Sequence, residues 1–345
     1  KTIGVIGPNA NSREALVGNY HGTSSRYITI LEGIQDKVGH NSRVLYSEGS
    51  HLFKDRVEEL AWKNDRIAEA VVVARHSDVV ILCVGLNETL EGEEGDTGNS
   101  YASGDKADLN LPQCQRDLME AVLKVGKPVI VCLMAGSAID LSLADDRAAA
   151  VMQLWYPGAR GGSAVADILF GDCSPSGKLS VTFYRSLEGM PDFEDYTMKG
   201  RTYRYMTKEP LYPFGYGLTY GNVKVEGVKI TAQDNASRDV TLEVDVVNAG
   251  SVETKDVVQV YVKDLESEFA VPNHSLCAFT KVSLKAGERQ SVVLKVSGDA
   301  FSAVDEEGKR VRDSRRYILF AGTGQPDKRT EVLTGNTCVK ADVEF

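Results

Sequence analysis

The run Asp78-Val79-Val80-Ile81-Leu82-Cys83-Val84-Gly85 limits what this chain can become more than any other segment. It is continuously apolar and rich in β-branched residues, whereas a strand with one face in water alternates apolar and polar. A strand of this kind is buried on both faces, as in a parallel sheet covered by helices. The text that follows is opposite in character. Leu90 to Pro112 carries Glu91, Glu93, Glu94 and three aspartates in a glycine-rich stretch. Pro112 then opens a helical pattern (Leu118, Ala121, Val122, Val125), at a first-turn position where its missing N–H costs nothing. Loops at the carboxyl ends of parallel strands are where open α/β sheets place ligand sites. A glutamate held there serves as a general acid if burial or neighbouring carboxylates raise its pKa toward neutrality. Composition alone reads the same stretch as a solvated turn.

Around this segment, residues 1 to about 181 alternate strand and helix. Strands are expected at Ile3–Ile6, Arg43–Tyr46, Asp78–Gly85, Val129–Met134 and Ala150–Trp155, with helices at Ile28–Val38, Asp65–His76, Pro112–Val125 and Gly162–Phe170. Such alternation predicts a mostly parallel α/β sandwich with helices on both faces. Residues 182–220 change character, rich in aromatics, proline and glycine, and read as an ordered connector packed on a neighbour. Its rings at Tyr203, Tyr205, Tyr212, Phe214 and Tyr216 suit interdomain packing. From 221 to 345 the text is β: VKVEGVKITAQ, DVTLEVDVVNAG, VVQVYVKDL, QSVVLKVSG and RRYILFAGTG, with Asn-Ala-Gly and Lys-Ala-Gly turns between. About seven short strands over roughly 120 residues indicate an immunoglobulin-like or fibronectin-III-like sandwich.

A chain of 345 residues, 42% of them apolar, can bury two such cores. Its formal net charge of −10, with no basic stripe, argues against nucleic acid or an anionic membrane as partner. No apolar stretch approaches the roughly 20 residues of a membrane span, and the start lacks the regions of a signal peptide. The chain begins at Lys1 directly on a strand-like KTIGVIG, which points to a piece of something longer. Six cysteines fall at no metal-ligand spacing, so a structural metal site is not expected. Cys83 and Cys132 lie inside expected buried strands, where a thiol acts as a small hydrophobe. Scattered thiols favour a reducing compartment, the cytoplasm, with secretion or the periplasm as the alternative.

Six pieces of text, in order, carry a family resemblance: TIGVIGPNAN followed by GNYHGTSSRYITILEGI; LEGEEG with SGDKADLNLP; KPVIVCLMAGSAIDLS; LWYPGARGGSAVADILFGDCSPSGKLSVTFY; GRTYRY; and PLYPFGYGLTY. Together they resemble the C-terminal half of a glycoside hydrolase family 3 enzyme, the group of exo-acting β-glucosidases and β-xylosidases. The resemblance implies an α/β sandwich domain carrying the catalytic acid/base glutamate, then a fibronectin-III-like domain. It also implies a partner, the family's (β/α)8 barrel, which carries the aspartate nucleophile and is not in this sequence. Without that nucleophile this chain alone is expected to be inactive. The implied substrate is a β-linked oligosaccharide or β-glycoside with terminal non-reducing β-D-glucose or β-D-xylose, and no cofactor is needed because two carboxylates suffice. The rival reading is a non-catalytic carbohydrate-binding or interaction module.

Within the acidic loop, Glu93 aligns best with the acid/base position, the family's Glu-x-Glu-Gly falling on Glu91-Gly92-Glu93 with an insertion after Glu94. Glu94 and Glu91 are the alternatives, since clustered carboxylates raise one member's pKa and blur which one is special. Asp105 and Lys106 are expected to bind substrate. The family's loop usually ends in Asp-Arg, and Lys106 keeps the charge but loses the planar bidentate fork. Ser180, in place of the family's usual proline, is expected to be neutral. Asp140 reads as a cap for the helix after it. Trp155-Tyr156-Pro157-Gly158 reads as core aromatics at a strand end, with sugar stacking as the other possibility. Gly4 and Gly7 resemble part of a dinucleotide turn, but G-x-G-x-x-G is not completed. The five histidines form no constellation with a serine or cysteine, which excludes a nucleophilic triad.

Overall fold

The computed structural model describes residues 1–56, 58–92, 106–188 and 190–345. Contacts divide it into two compact units, Lys1–Cys173 with Arg185–Leu187, and Ser174–Tyr184 with Glu188–Phe345.

The first unit runs β1 (Thr2–Ile6), α1 (Glu14–Val17), α2 (Ile30–Val38), β2 (Arg43–Ser47), α3 (Ile67–Arg75), β3 (Val79–Gly85), α4 (Gln113–Leu123), β4 (Val129–Met134), α5 (Ser142–Arg147), β5 (Ala150–Gln153) and α6 (Gly161–Leu169). All five strands are parallel, in the order β2-β1-β3-β4-β5. β3 is therefore central, and every residue from Val80 to Gly85 is buried, which is why its sequence does not alternate. One face of the sheet (Ile3, Val5, Ile81, Cys83, Cys132, Met134) forms a single apolar cluster with Ile30, Leu31 and Ile34 of α2 and Val165 of α6. Cys83 and Cys132 sit side by side in register, fully buried, as small hydrophobes. Helix α2 starts at a capping box, in which the Thr29 hydroxyl accepts from the Glu32 N–H while Glu32 accepts from the Thr29 N–H.

Most element ends fall within one or two residues of expectation, and two of the shifts have a plain physical reason. Pro112 is the N-cap of α4 and not its first helical residue: its ψ of 144° is extended, while its carbonyl accepts from the Arg116 N–H at 3.1 Å. Strand β5 stops at Gln153 because Trp155 has φ 54°, a left-handed turn of the backbone that no side-chain periodicity announces.

The second unit contains α7 (Thr202–Tyr205), β6 (Val223–Gln233), β7 (Val240–Asn248), β8 (Thr254–Asp264), β9 (Ser275–Leu284), β10 (Arg289–Val296), β11 (Ala303–Val304), β12 (Arg310–Val311), β13 (Arg316–Gly322), α8 (Lys328–Thr334) and β14 (Val339–Glu344). Its two larger sheets, β10-β7-β6 and β14-β13-β8-β9, are antiparallel. Alternate residues, among them Val240, Leu242, Val244, Val258, Val260, Leu319 and Ala321, build one core between them. That is the packing of a two-sheet sandwich. The aromatic stretch packs on β8 at Tyr261, which is buried but is not part of that core cluster. Tyr203 stacks on Phe214 with ring centroids 4.4 Å apart and meets Tyr261 of β8 edge-on at 6.1 Å, while Tyr212 stacks on Tyr216 at 5.6 Å. No helix among the described residues is long and apolar enough to cross a membrane.

Candidate active site

The chain leaving β3 is shaped by Asn87. Its side-chain oxygen accepts from the Thr89 N–H at 3.0 Å, and its carbonyl accepts from both Leu90 and Glu91 N–H at 3.0 Å. Leu90 is buried beneath the turn, and Glu91 is carried over the carboxyl ends of β4 and β5. There its carboxylate meets the loops that follow both strands. Oε2 accepts from the Gly136 N–H at 2.6 Å and from the Tyr156 hydroxyl at 2.6 Å, and Oε1 accepts from the Ser137 hydroxyl. Lys106 Nζ stands 3.9 Å from Oε1, and these two side chains are only 16% (Glu91) and 18% (Lys106) exposed. A Cβ at position 136 would lie 3.0 Å from the Tyr156 ring and 3.2 Å from Oε2, so any larger residue there must push these two side chains back by a few tenths of an ångström.

The electrostatics follow from burial. Desolvation, then the Glu91 charge beside it, raises the Tyr156 pKa, so its hydroxyl remains a donor. Burial lowers the Lys106 pKa, opposed by Glu91 and Asp108. Lys106 donates to the Ala138 carbonyl at 3.0 Å, as a point charge and not a fork.

Two buried amides support the site. Gln115 of α4 brackets the last residue of β3, accepting from the Gly85 N–H at 2.8 Å and donating to the Gly85 carbonyl at 2.7 Å and to Leu52 at 2.6 Å. Asn9 follows β1 and donates to the Leu86 carbonyl at 2.9 Å, with its Oδ1 unpartnered among the described residues. It thereby ties together the loops after β1 and β3, the strands between which the chain reverses its direction of travel across the sheet; this is the position where α/β sheets open a crevice. His21, from the GNYHG run, meets Glu88 at 3.2 Å, and the Gly22 carbonyl and Glu88 raise its pKa.

Of the residues singled out from sequence, Glu91 and Lys106 come together, while Glu93, Glu94 and Asp105 lie outside the described residues. Asp140 accepts from the Ser142 N–H at 2.9 Å and its hydroxyl at 2.6 Å, a turn one residue ahead of the expected cap position, since the N-cap of α5 is Leu141 and has no side-chain cap bond. Tyr156 is more than a core aromatic, since its hydroxyl binds Glu91. Sequence reasoning missed Ser137, Gln115 and Asn9. Their segments stood out as text, but the partners that give each atom its role are far away in sequence.

A family model described as the glycosyl hydrolase family 3 C-terminal domain matches residues 1–220, and one described as a fibronectin type III-like domain matches 256–325. The chain belongs to glycoside hydrolase family 3. Among its family 3 relatives, a periplasmic beta-glucosidase of Salmonella typhimurium is 33% identical over 93% of this chain and 44% of its own length. A beta-xylosidase of Formosa agariphila is 32% identical over 97% of this chain and 46% of its own. The crystal structure of a family 3 beta-glucosidase of Bifidobacterium adolescentis superposes on 100% of this chain and 49% of that one, with a TM-score of 0.82 and 28% identity. The chain thus spans less than half the length of the curated family 3 relatives it matches.

Proposed function

We propose that this chain is the acid/base-bearing part of an exo-acting retaining β-glycosidase that removes terminal non-reducing β-D-glucose or β-D-xylose from oligosaccharides and β-glycosides. What carries the reading is family 3 membership together with a glutamate-rich loop leaving the central strand at the ligand-binding edge of the sheet. Glu93 is the acid/base in this proposal, with Glu94 and then Glu91 as alternatives, and Asp105 and Lys106 next to the sugar. A (β/α)8 barrel elsewhere in the longer protein supplies the nucleophile. Glu93 protonates the departing oxygen as the nucleophile attacks the opposite face, then takes a proton from the water that hydrolyses the glycosyl-enzyme. The two relatives named beta-glucosidase and beta-xylosidase support both sugars alike. The compartment proposed is the cytoplasm, since no disulfide links the six cysteines, with the periplasm as the alternative.

The test is Glu93→Gln in the longer enzyme, beside Glu94→Gln. Natural disaccharides, whose leaving groups need a proton, should lose about 10²–10⁴-fold in kcat/KM, and nitrophenyl glycosides far less. Near-normal hydrolysis of disaccharides by Glu93→Gln would remove Glu93 from the role, and the same pattern in Glu94→Gln would transfer it.

A further inference from the structure

Glu91 is one of three glutamates in the acidic loop, yet its geometry differs from that of a proton donor. A general acid needs an oxygen directed at the leaving group within hydrogen-bond reach. Both Glu91 oxygens are instead engaged by the protein, Oε2 by Gly136 and Tyr156 and Oε1 by Ser137. These donors come from the turns after β4 and β5. On the far side of residues 93–105, Lys106 returns to the same turn, with Nζ on the Ala138 carbonyl at 3.0 Å and 3.9 Å from Glu91.

We infer that Glu91 is a positioning residue, the centre of a clamp with Ser137, Tyr156 and Lys106 that fixes the described chain on either side of residues 93–105, at Glu91 and at Lys106. The inference rests on the proposed placement of the acid/base within that segment. Its value to catalysis is geometric, since misplacing a reacting group by about 1 Å can cost about 10²-fold. The close approach at Gly136, where a Cβ would crowd both the Tyr156 ring and Oε2, shows how tightly the clamp is packed.

Hydrogen exchange on the 345-residue chain tests the clamp without any assay of activity. In Glu91→Gln, amides of residues 86–92 and 106–111 should exchange roughly 10- to 100-fold faster, the range for losing hydrogen bonds to a charged group. Amides of β1 and β4 should be unchanged. Tyr156→Phe, a milder change, should give about a 10-fold effect at the same amides, and Lys106→Met an effect confined to 106–111. Unchanged exchange in both Glu91→Gln and Tyr156→Phe, or acceleration spread evenly over the sheet in both, would overturn the clamp. In the longer enzyme, Glu91→Gln should lower kcat with little change in KM, more for natural than for activated substrates, and by less than Glu93→Gln does, because the acid/base is displaced and not removed. A full loss with azide rescue in Glu91→Gln, beside near-normal hydrolysis by Glu93→Gln and Glu94→Gln, would make Glu91 the acid itself and overturn the inference while leaving the glycosidase reading intact. A longer wild-type protein with no glycosidase activity would defeat that reading instead, and the exchange result would then decide the clamp alone.

Discussion

Lys178→Met takes away the ammonium that meets Asp256 of β8 at 2.7 Å in the second unit. The two side chains are 10% (Lys178) and 6% (Asp256) exposed, so little water can take the place of either. Burial already lifts the Asp256 pKa above the usual carboxylate value, with Lys178 pulling against it. Removing one member of such a pair leaves a buried charge without its partner, at a cost of about 3–5 kcal/mol. At about 2–4 °C per kcal/mol for a unit of this size, the expected loss in Tm is about 6–20 °C. The Gly217 carbonyl, which accepts from Lys178 at 2.7 Å, loses its donor as well. The pH dependence has a definite sign. Without the lysine the folded carboxyl holds a proton at pH values where the unfolded chain has released it. The variant's stability is then highest below the unfolded carboxylate pKa, and falls as pH rises through the folded value. Adding Asp256→Asn removes the isolated charge and keeps an acceptor for the Val257 N–H, which Asp256 binds at 2.7 Å, so the double variant should recover most of the loss. Trp62 and Trp155 both lie in the first unit, so urea unfolding by fluorescence follows that unit, while amide exchange in β8 follows the sandwich. A β8 destabilisation below about 1 kcal/mol, or a double variant no more stable than the single one, would refute the reasoning.

Two further outcomes are expected. Burial lowers the His274 pKa despite its bond to Gln325, so below about pH 6.5 the unfolded chain binds a proton that the folded ring resists, and stability falls as pH drops toward the folded value. His274→Gln should flatten the slope of Tm between about pH 7.5 and 5.5, and equal slopes in variant and wild type would contradict this. The purified 345-residue chain should fold yet hydrolyse neither aryl β-glucosides nor β-xylosides, because an acid without a nucleophile typically contributes only about 10²–10⁴-fold. Robust turnover by this chain would count against the proposed division of labour.

Much of the architecture is legible in the sequence because burial writes itself into composition. The unbroken apolar run of β3 marks a central strand, and the alternation in Val240–Val246 marks a strand with one dry face. Strand β9 (Ser275–Leu284) is harder to see, since its burial becomes clearly alternating only near its end, and the sequence reading names neither it nor β14. The turn at Trp155 leaves no periodic signal, because a positive φ in a non-glycine residue is imposed by its surroundings. At the site the same contrast holds. The position of the acidic loop follows from the strand before it, but the partners of Glu91 do not: Gly136, Ser137 and Tyr156 are brought to it by the parallel register of β3, β4 and β5. Lys178 is likewise visible only as part of a family motif until β8 presents Asp256.

The most direct measurement of the central claim is azide trapping by the longer enzyme carrying Glu93→Gln, assayed on a nitrophenyl β-glycoside. Glutamine cannot activate water, so the glycosyl-enzyme should persist until an anion that needs no general base attacks it. Added azide should raise turnover and yield a glycosyl azide of retained β configuration. No azide product, with hydrolysis at the wild-type rate, would show that Glu93 is a loop carboxylate and that the acid/base lies elsewhere.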